Sequence, residues 1–249
     1  MTLAPERFAT WMSGHTANDK KHGRKVFRYQ PRSDEHSKML CRMVLDDLLL
    51  VCPPMAAHVR TGQVVGLVNA RHTFANGKTK NLDLAIGTPN TQPGVNNPIN
   101  QLRVSIEAKQ CMTEHSKTKP RLFDELSSSH QIVHFGDPAA IAAGIVVVNF
   151  AEKFASPLIQ KTKRGPLIYK PHKQPGVTES MVRHLRGLQR RTQPTEVGFD
   201  AFATIIVSCD NVGPCIAVSS PPAPQPDELD HYETFLRQIT AAYALRYGE

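Results

Sequence analysis

The stretch RVSIEAKQ (residues 103–110) decides how this chain is read. Side chains on a strand alternate between faces with a period of two. Leu102, Val104, Ile106 and Ala108 then share an apolar face, while Arg103, Ser105, Glu107 and Lys109 share the other. A buried strand has no packing use for an acid and a base on one face.

Working outward, the preceding segment KNLDLAIG (80–87) has the same alternation: Leu82, Leu84 and Ile86 on one face and Asp83 on the other. The ANGK turn (75–78) joins it to GQVVGLVNA (62–70), a further strand. Upstream, Ser33 can cap a helix running to about Val51, with Leu40, Val44, Leu48 and Val51 on one side, and Pro53 and Pro54 end it. Downstream, TPNTQPGVNNPIN (88–100) is a loop. Leu122, Leu126 and Val133 mark a helix over 119–134, and GIVVVNF (144–150) is a continuous apolar run, as in a strand buried on both faces. A helix over 178–191, strands over 202–210 and 214–220, and a final helix capped by Asp227 follow; the last carries Leu229, Tyr232, Leu236, Ile239 and Tyr243. This order predicts an α/β fold: a central mixed β-sheet flanked by helices on both faces. Residues 1–32, polar and basic and ending in DKKHGRKVFRYQPR, read as a basic N-terminal arm rather than core. Residues 33–249 read as one domain, with a core over 33–150 and additions over 151–249.

Lys and Arg total 30 against 22 Asp and Glu, a formal charge of +8 that favours polyanionic partners. The five cysteines are scattered without a CxxC pair, which points to reduced thiols rather than a disulfide framework. MTLAPERFATWMSG (1–14) has no charged head before an apolar run, so no secretion signal is expected. The apolar run over 139–151 falls short of the ~20 residues that span a bilayer. These features together suggest a soluble cytoplasmic protein without membrane contact.

If the strands bearing Asp83 and Glu107 are neighbours, two carboxylates and the Lys109 ammonium converge. Hard carboxylate oxygens, completed by a backbone carbonyl and water, suit Mg²⁺. Such a metal activates water and neutralises charge on a phosphate, and a lysine beside it can orient the water or stabilise the transition state. Asp83 followed by Glu107-Ala108-Lys109 resembles the PD-(D/E)xK motif of the restriction-endonuclease-like nucleases, and the elements over 33–150 are similar to that family's αβββαβ order. Leu82 stands where the motif has proline, and the Asp–Glu separation is long. The resemblance implies that Asp83, Glu107 and the carbonyl of Ala108 hold one or two Mg²⁺ ions, with Asp83, Glu107 and Lys109 catalytic. Glu35 is a candidate for the additional acid found in some members. It implies a Mg²⁺-dependent endonuclease acting on double-stranded DNA, most like a type II restriction enzyme or another phage-defence nuclease, and a homodimer. The alternatives are a structure-selective recombination or repair nuclease, a DNA-binding protein without catalysis, or simply a solvated strand face.

Lys117, Lys119 and Arg121 follow the motif near a helix start, where phosphate is favoured; with Lys163, Arg164 and Lys170 they are the DNA-contact candidates. Cys111, His115, His130 and His134 offer a second metal reading, C-x3-H-x14-H-x3-H, with ligand types that suit Zn²⁺ but a spacing unlike common zinc fingers.

Overall fold

Three alternating segments in succession give three antiparallel strands in a computed structural model that describes residues 2–17, 21–31, 33–92, 96–193 and 195–248. They are β1 (Val65–Thr73), β2 (Thr79–Pro89) and β3 (Ile99–Cys111). Helices α1 (Ala4–Gly14), α2 (Glu35–Val51) and α3 (Pro53–Arg60) precede them. Helix α4 (His115–Gly136) then crosses over to β4 (Ile141–Asn149). Because β4 is parallel to β3, the connection needs such a crossover. The short strands β5 (Lys153–Phe154) and β6 (Lys170–Pro171) form a separate pair, followed by α5 (Gly176–Leu185), β7 (Ala201–Ser208), β8 (Ile216–Ala217) and α6 (Tyr232–Tyr247).

The main sheet is mixed, in the order β1-β2-β3-β4-β7-β8. All nine residues of β4 are buried, as its unbroken apolar run requires. On one face α1, α2 and α6 bring Phe8, Leu40, Val44 and Ile239 onto Leu84, Ile106 and Ile145. On the other, α4 and α5 bring Leu126 and Leu185 onto Val146 and Phe202. The predicted α/β architecture of a mixed sheet between helical layers is therefore present, with α2, β1, β2, β3, α4 and β4 in the expected succession and α3 as an added short helix. Among the described residues, no helix is long and apolar enough to cross a membrane.

Several local expectations are corrected. The reading of 1–32 as an arm fails for its first half: α1 is part of the core, with Ala4, Phe8 and Met12 fully buried. Their four-residue spacing makes one apolar helical face. The basic run that suggested an arm lies beyond it, and residues 18–20 and 32 are outside the described set, as are 93–95 of the 88–100 loop. Cys209 and Cys215 are disulfide-paired across the turn that follows β7, whereas Cys41, Cys52 and Cys111 are free and buried. The final helix is capped by His231, whose Nδ1 accepts the Glu233 N–H, so Leu229 lies outside it and is exposed. Helix α5 ends at Leu185, short of Arg191.

Two irregularities change which way side chains face. Along β1 and β2, Val68 pairs with Leu84 and Ala70 with Leu82, and Asn69 between them has a left-handed φ of 55°. Leu82 consequently joins the α4-side cluster with Leu102 and Val133, while Leu84 and Ile86 pack on the α2 side; the three leave the single face expected of them. On β3, Gly87 pairs with Leu102 but Ile86 with Val104, a bulge. Arg103 is thereby turned from the Glu107 face to the opposite one, where its guanidinium donates to the Tyr243 hydroxyl.

Candidate active site at the split of β2 and β3

Beyond Leu84↔Ile106 the ladder between β2 and β3 ends, and the strands diverge from Asp83 and Glu107 onward. An Ala108 N–H that would extend the ladder instead donates to Asp83 Oδ2 at 2.9 Å. In an extended strand, one residue's N–H and C=O point to the same side. The Ala108 carbonyl therefore also faces the split, beside the Asp83 carboxylate.

Glu107 is 7% exposed, so the reading of a solvated strand face does not hold. Its carboxylate is divided between partners: Oε1 meets the Lys109 ammonium at 2.7 Å, and Oε2 meets the Lys80 ammonium at 2.8 Å. Ser129, from α4, donates to Oε2 at 3.0 Å and accepts from Lys80 at 2.5 Å. Lys109 also approaches Glu125 of α4, 3.7 Å away. Burying a carboxylate is costly unless charge and hydrogen bonds compensate it, and here both oxygens are covered.

These neighbours push the two acids apart. Burial, reinforced by the Glu107 charge, drives the Asp83 carboxyl up to about 6. Burial also works against the Glu107 charge, but Lys80 and Lys109 outweigh it and hold that carboxyl below its usual range. Lys109 is likewise disfavoured by burial, yet Glu107 beside it keeps its ammonium above the ordinary value. Lys109 is thus held in its charged, donor form. Asp83 is compensated less: Lys109 and Lys80 favour its charge without a direct ion pair, and among the described residues its Oδ1 has no protein donor.

That deficit is the test of whether a divalent cation suits the site. Asp83 and Glu107, near enough to raise one another's charge cost, and the Ala108 carbonyl are hard oxygen donors at the split, and the Asp83 charge there is incompletely neutralised. They fit Mg²⁺. Among the described residues no cluster of three His, Cys, Asp or Glu side chains could hold a metal, so any ion here would rest on two carboxylates, the carbonyl and water.

The remaining candidates are dispersed. Glu35, at the start of α2, pairs with His15 at 3.4 Å and accepts from the Ser33 hydroxyl, apart from the paired groups of the cleft. Arg121 approaches Glu125 at 3.6 Å and so borders the cluster. Lys117 and Lys170 both pair with Glu114 and line a cleft of about 340 Å³ at the start of α4. Lys119 is tied to Ser180 at 3.0 Å. Lys163 and Arg164 border a different depression, beside Arg24 and Val26.

The zinc reading is not supported. His115 bonds the Asn149 carbonyl at 2.8 Å, His130 lies edge-on to Phe199, and His134 pairs with Asp200 at 3.4 Å. On one helix at about 1.5 Å per residue, His115 and His130 are separated by roughly 20 Å.

Lys80, Ser129 and Glu125 were missed. Counting by twos from Leu84 puts Lys80 on the apolar face; only the irregularity at Asn69 and Asp83 returns it to the Glu107 side. Ser129 and Glu125 carried no signal beyond lying on an amphipathic helix. No family model, curated protein or solved structure matches the chain.

Proposed function

We propose that this protein is a Mg²⁺-dependent endonuclease of the PD-(D/E)xK type that hydrolyses phosphodiester bonds in double-stranded DNA, as a restriction or related phage-defence enzyme. The observation that carries this is the convergence of Asp83, Glu107, Lys109 and the Ala108 backbone where β2 and β3 part. The αβββαβ succession and the excess of basic residues agree with it.

Asp83, Glu107 and the Ala108 carbonyl would hold the ion, which when bound supplies Lewis-acid activation of water and phosphate. Lys109, kept protonated by Glu107, donates to a non-bridging phosphate oxygen as negative charge grows there. Arg121, exposed on α4 beside Glu125, contacts an adjacent backbone phosphate. Cutting both strands of a duplex calls for two such sites, and the proposed assembly is a homodimer.

The test is incubation of the purified chain with phage DNA, with and without Mg²⁺, beside Glu107→Ala and Lys109→Ala. Discrete fragments that disappear with chelation and in both variants support a restriction enzyme. Cleavage confined to branched DNA supports a repair nuclease. Binding without cleavage overturns both readings, and normal cutting by Glu107→Ala overturns the site.

A further inference from the structure

Two ammonium groups meet Glu107, but they stand in different relations to the cleft. Lys109 contacts Oε1 and reaches on to Glu125, and its side chain is 28% exposed. Lys80 contacts Oε2, and its 19% exposed side chain is also hydrogen-bonded to Ser129, which itself donates to the same oxygen. Oε2 thus sits in a closed ring of Lys80, Ser129 and Glu107, whereas Oε1 is held by one partner with an alternative acceptor nearby. Lys80 belongs to no part of the sequence motif.

We infer that Lys80 is a positioning residue: with Ser129 it holds Glu107 Oε2 and leaves Oε1 as the oxygen offered, with Asp83, to a divalent cation. This rests on the reading of the cleft as a metal-dependent site. The ring has two consequences. It fixes the Glu107 carboxylate plane, which favours one productive coordination geometry. It also places a positive charge beside the ion: Lys80 pairs with Glu107 and acts on Asp83 from nearby before any cation enters, so Lys80 weakens cation binding while improving its placement.

Those two effects have opposite signs, which separates positioning from a general structural role. In Lys80→Met, Mn²⁺ measured by calorimetric titration of the full chain is expected to bind on the order of tenfold more tightly. The single-turnover cleavage rate of the same variant is expected to fall on the order of tenfold, with the DNA half-saturation little changed. Lys80→Arg restores both. Equal or weaker Mn²⁺ binding by Lys80→Met at an unchanged melting temperature overturns the assignment. If Lys80→Met does not fold, Ser129→Ala, which removes one of the two donors to Oε2 but no charge, decides: cleavage lowered with unchanged Mn²⁺ affinity supports the ring, and unaltered cleavage overturns it. Tight Mn²⁺ binding without cleavage of any DNA by the unaltered chain overturns the nuclease reading alone, leaving the titration to judge Lys80. No Mn²⁺ binding by the unaltered chain overturns both.

Discussion

Two carboxylates sit in this fold under opposite conditions. Asp47 of α2 lies where α1, α2 and α6 meet, 2% exposed and saturated with donors. The Ala4 N–H and the Tyr232 hydroxyl reach Oδ2 at 2.7 and 2.8 Å, and Arg7 reaches Oδ1 at 2.6 Å. Asp83 has one backbone donor and a like charge, Glu107, beside it. A saturated buried acid fastens elements together. One left short of positive charge costs stability and is available to bind it, the pattern expected of a functional site.

The difference can be broken from either side. The largest effect is expected in the cleft: Glu107→Ala and Lys109→Ala should each lower the single-turnover cleavage rate on the order of 10³-fold, since the first removes a proposed ligand of the ion and the second a donor to the reacting phosphate. Circular dichroism should show both variants folded. Next, Asp47→Ala should cost about 3–5 kcal/mol in urea unfolding, because Arg7, the Ala4 N–H and Tyr232 lose a shared buried acceptor. A much smaller loss would mean that α1 is not fastened through Asp47.

The third prediction has the reverse sign. With its folded value raised to about 6, Asp83 stabilises the fold only while protonated, and that contribution is lost as pH rises from about 4 through 6. Asp83→Asn keeps an acceptor for the Ala108 N–H without the charge, so at pH 8 it should be more stable than the unaltered chain by about 1–3 kcal/mol. The gain should vanish near pH 4, and a gain independent of pH would refute the charge explanation. The smallest effect is expected at Glu35, whose partner is His15: Glu35→Gln should change the cleavage rate by less than about twofold.

Much of this was legible in the sequence. Unbroken apolarity located β4, alternation located β2 and β3, and the helical periods of α2 and α4 placed them on the sheet. Asp83, Glu107 and Lys109 could be singled out because charge on an otherwise apolar strand has no packing use. What escaped had physical reasons. The first helix was hidden by the basic run following it, and its Phe8 and Met12 make a face only two turns long. The dispersed lysines and arginines could not be sorted, because charge along a chain does not say which residues reach one surface.

The sequence by itself determined the order and kind of the main elements and the presence of an acid–acid–lysine trio, because apolar periodicity is local and strong. Tertiary structure alone decided which side chains meet. The left-handed backbone at Asn69 and the register-shifting bulge at Arg103 each reverse the facing of a strand, and neither is written in the strand's own alternation. Through them Arg103 left the Glu107 face and Lys80 joined it, so that Glu107 acquired its second ammonium.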